Sequence, residues 1–139
     1  MAIIESTIAP GGEAFQANRA DMLELIRRVR EYEQRSVAKS AESRPRFEKR
    51  QQLLPRERVS LLLDPGTPFL ELCTLAGLGL DHADLDKSVP GGGVIGGIGT
   101  VSGIRCMRTA SDSGVDAGAL PALGLDKQPR TQALALENK

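Results

Sequence analysis

Apolar residues recur at spacings of three and four across the first part of the chain. Residues at this spacing lie on one face of a helix, which we predict from about Glu13 to about Lys39. On the other face, Glu24 precedes Arg28 by four residues, the favourable order for an exposed ion pair. The residues of the stripe are Phe15, Met22, Leu23, Ile26, Val29 and Tyr32.

A second helix is predicted to begin at Pro55, in the segment PRERVSLLLD. The first turn of a helix leaves its N–H groups unpaired, so a proline is tolerated there. Within this helix, Val59, Leu62 and Leu63 are expected to face inward. Pro45 interrupts the chain between the two helices.

The stretch 42–58 carries six Lys or Arg against three Glu. Such a local excess is typical of a solvated helical surface. A patch that meets a phosphate or an acidic partner is the sharper alternative. The sequence leaves both interpretations open.

Extended structure is predicted further along. Pro65 and Gly66 give a turn signal, and the segment 69–75 that follows is expected to be a short strand. Apolar residues on both sides of Ser102 and Gly103 indicate a β-hairpin that closes at these two residues. Residues 89–103 hold seven glycines, which inside strands indicate close approach of another backbone or a bulge. We interpret them as packing devices in a sheet.

The same glycines also match the G-x-G-x-x-G pattern of a dinucleotide-binding site. We interpret this match as a coincidence of the high glycine density. Gly91, Gly93 and Gly96 have the required spacing, but a cofactor site needs a strand before the run and a helix after it. Here a polar loop precedes the run and β-branched residues follow it. No Lys follows these glycines, which excludes a P-loop, and Thr100 occupies the position where a nucleophile elbow needs glycine.

Composition and charge exclude several classes of function. Among 139 residues, 40% are hydrophobic and only 3% are aromatic, so a modest aliphatic core is expected. Eighteen basic residues balance eighteen acidic ones, which removes the whole-chain attraction to nucleic acid or anionic membrane. The N-terminus has no secretory or transit signal, and no run is apolar enough to span a bilayer. A cytoplasmic protein without nucleic-acid or membrane partners is predicted.

Metal and disulfide sites are not expected. The acidic segment around His82 lacks the glycine and the terminal glutamate of a calcium loop, and a single His is a poor transition-metal ligand set. We interpret it as a solvated loop; its carboxylates are Asp81, Asp84 and Asp86. Cys73 and Cys106 are too sparse for a disulfide framework or a zinc site, and we expect buried, reduced thiols.

Three blocks together resemble a known family: QQLLPRERVSLLLDPGTPFLEL, VPGGGVIGGIGTVSGIRCM and ASDSGVDAGALPALGLDKQPRTQALALENK. In order and spacing they are similar to the start of the carboxyltransferase (beta) subunit of biotin-dependent acyl-CoA carboxylases. That family includes the propionyl-CoA, methylcrotonyl-CoA and geranyl-CoA carboxylases. The resemblance covers the chain from about Phe15 to Lys139.

The resemblance implies an α/β chain with an incomplete crotonase-like (ClpP/crotonase) β-β-α fold, preceded by two N-terminal helices. We expect a flexible tail over 1–12, a helical lead over 13–64, and the start of the crotonase-like core over 65–139. The last helix is predicted from about Asp126, with Asp126 as N-cap and Pro129 in the first turn. Arg108 and Thr109 depart from the apolar strand expected there, so either Arg108 reaches a sheet edge or the strand is disturbed.

The resemblance also implies a reaction. Carbon dioxide released from carboxybiotin is attacked by the enolate of an acyl-CoA, at its α- or vinylogous carbon, and paired backbone N–H groups stabilise the developing oxyanions. No catalytic side chain and no covalently bound cofactor are implied. Biotin arrives on a partner, so biotin carboxylase, the biotin carrier and other carboxyltransferase subunits are the expected partners.

Family members are several times longer, and their oxyanion-binding segments lie downstream. The chain is therefore expected to be a fragment that is inactive alone. The alternative is a non-catalytic partial domain that acts as an interaction or assembly module.

Part of the CoA-binding surface is expected within SDSGVDAGAL and the following helix, where an ordinary turn is the competing interpretation. The candidate CoA contacts are Ser111, Asp112, Ala117, Gly118, Ala119, Lys127 and Arg130. SDSGVDAGAL looks closer to the geranyl-CoA type than to the methylcrotonyl-CoA type.

Overall fold

The computed structural model of the chain describes residues 6, 8–119 and 122–138. The chain forms two compact units, residues 1–31 and residues 32–139, and the division falls within the first helix. Half of the tail predicted over 1–12, residues 1–5 and 7, lies outside the described residues. At its end, the N–H of Gly12 donates to the carbonyl of Ala9 at 2.9 Å, a turn that leads into the helix.

The first helix, α1, covers Glu13–Glu42, which confirms the predicted long helix. In the first unit, Arg27 pairs with Glu24 at 2.6 Å and also with Glu31, so Glu24 pairs with Arg27 and not with the predicted Arg28. The middle of the predicted apolar stripe stays exposed in the described chain, with Met22 at 56% and Ile26 at 46% of full exposure, while Phe15 and Tyr32 at its two ends are half-buried. The exposed part of the stripe gives the helix little burial energy.

Two short helices follow. The segment α2, Arg44–Glu48, was not predicted, because Pro45 suggested a break whereas it lies in the first turn, where proline is tolerated. The helix α3, Pro55–Leu62, begins at the predicted residue. The carboxylate of Glu57 accepts the N–H of Leu54 at 2.9 Å, which satisfies one free donor at the helix start.

The predicted inward face of α3 is only partly correct. Val59 and Leu63 are half-buried as expected. Leu62 is 47% exposed, so its predicted burial is wrong. It is the last residue of the helix, and the chain turns away there with Leu63 in an extended conformation.

Three strands form one antiparallel sheet in the order β1-β2-β3. They are β1, Leu70–Glu71, β2, Val94–Val101, and β3, Ile104–Ser111. The predicted hairpin closing at Ser102 and Gly103 is confirmed, since both residues adopt the left-handed conformation of a tight hairpin turn, with φ of 52° and 78°.

The carboxylate of Asp64 closes this hairpin from outside the sheet. It accepts the N–H groups of Ser102 and Gly103, each at 2.7 Å. The N–H of Asp64 in turn donates to the carbonyl of Thr100 at 2.9 Å. The turn after α3 is thereby fixed to the end of the hairpin.

Strand β3 continues without interruption through Arg108 and Thr109 to Ser111. Of the two alternatives for Arg108, the structure supports the sheet edge, because β3 has no partner on its outer side among the described residues. Arg108 lies opposite Gly97 in the register, so no side chain crowds it across the strand.

The glycines of β2 are packing devices, as predicted. A Cβ on Gly97 would lie 2.7 Å from the Phe69 ring and 2.9 Å from the Cα of Glu71. On Gly96 it would lie 3.2 Å from the methyl group of Thr131 in the following helix. Side chains at these positions would push β1 and that helix away from β2.

The last helix, α4, covers Ala122–Asn138. It begins before Asp126, so the predictions of Asp126 as N-cap and of Pro129 in the first turn are wrong. Proline removes one N–H and normally disfavours a helix interior. Here Pro129 is exposed, while Lys127 and Thr131 on either side of it are 3% and 0% exposed and anchor the helix to the sheet.

Cys73 is exposed, so its predicted burial is wrong. It follows the two-residue strand β1 with φ of 52°, where the chain leaves the sheet. Cys106 is half-buried, and both thiols are free. No helix within the described part of the chain is long and apolar enough to cross a membrane.

An apolar groove of about 810 Å³ lies in the second unit between the sheet and the end of α4. Its walls include Leu70, Ile98, Met107 and Leu134. Leu70 is 60% exposed, and Ile104 in the edge strand β3 is 69% exposed. The sheet therefore presents an apolar face and an open edge to solvent.

Candidate functional site

The glycine-rich turn before β2 is bound by a lysine of the same chain. Burial of Lys127 lowers the pKa of its ammonium group, although the nearby carboxylate of Glu71 opposes this effect. Its Nζ donates to the carbonyl of Val94 at 2.6 Å and to that of Gly91 at 3.4 Å. The turn thus uses its carbonyl oxygens to bind a cation, the reverse of a phosphate cradle, in which N–H groups bind an anion.

The interpretation of the glycine run as sheet structure is therefore confirmed. Gly91 and Gly93 adopt left-handed φ values of 103° and 65° and form a tight turn. The strand β2 begins directly afterwards, in the place where a dinucleotide site would have a helix.

A polar network lies where β3 ends, and Asp112 is at its centre. Asp112 is 2% exposed. One carboxylate oxygen accepts the hydroxyl of Ser40 at 2.6 Å and the N–H of Gly114 at 3.2 Å. The other lies 3.6 Å from Nε of Arg56. Asp112 also donates its N–H to the carbonyl of Gly93 at 2.8 Å, so it joins helix, sheet and glycine turn.

Arg56 extends this network from α3 to β1. Its guanidinium donates to both carboxylate oxygens of Glu71, at 2.8 and 3.1 Å, a two-point contact that fixes orientation as well as charge. Because both side chains are about three-quarters buried, at 25% and 22% exposure, this pair is screened less than a surface pair.

The residues after Asp112 form the loop that was predicted to meet CoA. Arg46 donates to the carbonyl of Ser113 at 2.8 Å. A single left-handed turn at Asp116–Gly118 follows, and α4 begins shortly afterwards. We call residues 112–119 the Asp112 loop.

The candidate CoA contacts divide into two groups. Asp112 and Lys127 are buried, at 2% and 3% exposure, and are bound to protein partners. The others keep access to solvent: Gly118 is half-buried, and the exposed ones are Ser111, Ala117, Ala119 and Arg130. A ligand at the Asp112 loop would therefore meet Ala117, Gly118 and Ala119 rather than the buried carboxylate of Asp112. Contact with CoA stays a prediction for all seven.

Sequence reasoning missed the helical members of the network. Arg46 and Arg56 were treated only as part of a basic stretch, and Ser40 lay just beyond the predicted end of the first helix. One local signal was available: Asp112 followed two residues later by Gly114 is typical of an Asx turn, which is what forms here. The distant partners leave no such signal.

The acidic loop is organised by its own backbone. Burial opposes ionisation of Asp81, but hydrogen bonds from the Ser88 hydroxyl and the Val89 N–H outweigh it and lower the pKa of Asp81. Asp84 accepts the N–H of Asp86 at 3.0 Å. These carboxylates cap turns, and within the described residues no group of three or more His, Cys, Asp or Glu could hold a metal ion.

The chain is similar in sequence to known proteins. Residues 46–139 match the carboxyl transferase domain family. The biotin-dependent 3-methylcrotonyl-coenzyme A carboxylase beta1 subunit of Mycobacterium tuberculosis is 48% identical over 96 residues, which cover 69% of this chain and 17% of that protein. The mitochondrial methylcrotonoyl-CoA carboxylase beta chain of Arabidopsis thaliana is 36% identical over 134 residues, which cover 96% of this chain and 22% of that protein.

A crystal structure of the beta subunit of geranyl-CoA carboxylase from P. aeruginosa superposes with a TM-score of 0.87 at 49% identity. The match covers 97% of this chain and 25% of that one. The chain thus spans a quarter or less of the length of these three proteins. The predicted crotonase-like α/β fold is confirmed in this partial form. The chain belongs to the carboxyl transferase domain family.

Proposed function

We propose that the chain is the N-terminal part of a carboxyltransferase that moves a carboxyl group from carboxybiotin to an acyl-CoA. The observation that carries this proposal is the agreement with the geranyl-CoA carboxylase beta subunit over 97% of the chain, at a TM-score of 0.87. Biotin carboxylase, a biotin carrier and further carboxyltransferase subunits are the proposed partners.

The proposed substrates are 3-methyl-2-enoyl thioesters of CoA. Relatives and the structural neighbour are named for methylcrotonyl-CoA and geranyl-CoA, whose acyl groups share this unit. Loss of carbon dioxide from carboxybiotin leaves a biotin ureido anion, which can take up a proton from the 3-methyl group. The resulting dienolate, conjugated with the thioester, attacks the carbon dioxide through its terminal carbon. Negative charge collects on the thioester oxygen, where preorganised N–H donors are each worth about 3–4 kcal/mol.

Within this reaction the chain contributes a part of the CoA surface. The exposed members of the Asp112 loop and Arg130 are the proposed contacts, with Arg130 near a phosphate. The oxyanion-binding N–H pairs are proposed to lie in the larger part of the subunit, since the chain covers 25% of its structural neighbour. Alone, the 139 residues are therefore proposed to bind without catalysing.

A chimera tests this function. The matched segment of the geranyl-CoA carboxylase beta subunit is replaced by this chain, and the product is assembled with biotin carboxylase, biotin carrier, ATP and bicarbonate. We expect carboxylation of geranyl-CoA or 3-methylcrotonyl-CoA within about tenfold of the parent, a barrier change of about 1.4 kcal/mol. The chain added alone should give no turnover. An assembled chimera without activity, or turnover by the chain alone, would contradict the proposal.

The second candidate function is assembly without catalysis. The apolar groove and the open edge of β3 favour it, because an exposed strand edge readily pairs with another chain. The proposed occupant is a longer carboxyltransferase polypeptide of the same family. In gel filtration, the chain mixed with such a subunit should elute at the larger mass, and two separate peaks would exclude this candidate.

A further inference from the structure

The Asp112 loop has a strained backbone. Three consecutive residues have positive φ: Asp116 at 47°, Ala117 at 54° and Gly118 at 91°. Residues other than glycine rarely adopt this conformation, and they keep it only where the surrounding structure holds them. The loop therefore needs contacts that fix it.

The helices that precede the sheet supply contacts to the start of the loop, at residues 112 and 113. The hydroxyl of Ser40 in α1 binds Asp112 at 2.6 Å, and the guanidinium of Arg46 in α2 donates to the carbonyl of Ser113 at 2.8 Å. Ser40 and Asp112 are both 2% exposed, so water cannot easily replace their hydrogen bond.

Gly114 allows the loop to lie directly on the end of α1. A Cβ on Gly114 would lie 2.9 Å from the carbonyl oxygen of Ser40 and 3.0 Å from the Asp112 carboxylate, and it would overlap the Ser40 hydroxyl. Any side chain at this position would have to push the loop away from the helix. Hydrogen bonds and close packing thus act on the same short stretch, residues 112–114.

We propose that Ser40, Arg46 and Gly114 are positioning residues, which hold the Asp112 loop in the one conformation that receives CoA. The proposal rests on the CoA contact given under the proposed function. None of the three touches CoA. They act by keeping the receptive conformation populated, and the observed dissociation constant rises as that population falls. The helical lead thereby sets CoA affinity through the loop.

The experiment uses two readouts on the 139-residue chain: amide hydrogen exchange of residues 113–119 without ligand, and the CoA dissociation constant from titration. In Arg46→Met we expect faster exchange in these amides and a dissociation constant raised about 3- to 10-fold, which corresponds to a receptive fraction of about 0.1 to 0.3. Arg46→Lys retains one donor and should recover part of both effects.

Arg50→Met is the matched control. Arg50 is exposed four residues further along and has no recorded side-chain partner among the described residues, so neither readout should change. Gly114→Ala perturbs the loop without changing any charge and should act like Arg46→Met. Its control is Gly11→Ala, where a Cβ would have nothing within 4 Å.

The outcomes separate the inference from the function on which it rests. Faster exchange together with weaker CoA binding supports both. Unchanged exchange in Arg46→Met, or faster exchange with an unchanged dissociation constant, overturns the inference and leaves the CoA contact standing. If the wild-type chain does not bind CoA, the contact itself is wrong and the inference falls with it.

Discussion

Replacing Asp112 with alanine is expected to lower the free energy of unfolding by about 3 kcal/mol. The change removes the acceptor of two hydrogen bonds, from the Ser40 hydroxyl and the Gly114 N–H, in a site that water does not reach. It also removes the negative charge 3.6 Å from Nε of Arg56, an atom that is buried without a hydrogen-bond partner. Denaturant unfolding followed by circular dichroism measures the loss.

Asp112→Asn is the matched control for this substitution. The amide oxygen still accepts from Ser40 and Gly114, while the charge facing Arg56 is lost. We expect a smaller loss, about 1–2 kcal/mol. Equal losses in the two variants would show that charge alone matters. A loss below about 1 kcal/mol for Asp112→Ala would contradict the claim that the Asp112 network holds the helices to the sheet.

Gly97→Ala is expected to lower the free energy of unfolding by about 3 kcal/mol or more. The new Cβ meets the Cα of Glu71 at 2.9 Å and crowds the carbonyl of Leu70, and backbone atoms cannot turn aside as a side chain can. Alanine restricts the unfolded chain more than glycine does, which favours the variant by at most about 1 kcal/mol. The clash outweighs this gain, so we expect the free energy of unfolding to fall.

Gly96→Ala provides the comparison on the same strand. There the new Cβ would meet the Thr131 methyl at 3.2 Å, and α4 can yield by a few tenths of an ångström. We expect a loss below about 1.5 kcal/mol in the same unfolding experiment. If Gly96→Ala lowers the free energy of unfolding as much as Gly97→Ala does, the close packing of β1 on β2 is not the reason why position 97 needs glycine.

Patterns confined to one stretch of sequence predicted their elements well. The spacing of apolar residues gave α1, Pro55 marked the start of α3, and Ser102 with Gly103 marked the hairpin turn. Each depends on interactions between residues close in sequence, so propensity and turn chemistry are sufficient. The start of α4 was missed because anchoring by Lys127 and Thr131 overrides the local effect of proline.

The candidate site was predictable only in part. The Asp112 loop was chosen from its place after a strand, and five of the seven candidate contacts are accessible, three of them in this loop. The residues that hold it could not be found, because Ser40 and Asp112 are 72 positions apart and Arg46 and Ser113 are 67 apart. Pairing over such distances depends on the tertiary fold, which a single sequence does not display as a local pattern.

A CoA titration of the isotope-labelled chain, followed by backbone NMR, tests the central claim most directly. We expect saturable shifts that are largest at Ser111, at 117–119 and at Arg130, with little change in residues 13–31. Saturation should fall within the millimolar range, since about 4 kcal/mol of binding corresponds to that affinity. No saturable shift at millimolar CoA, or shifts centred away from the Asp112 loop, would contradict the account.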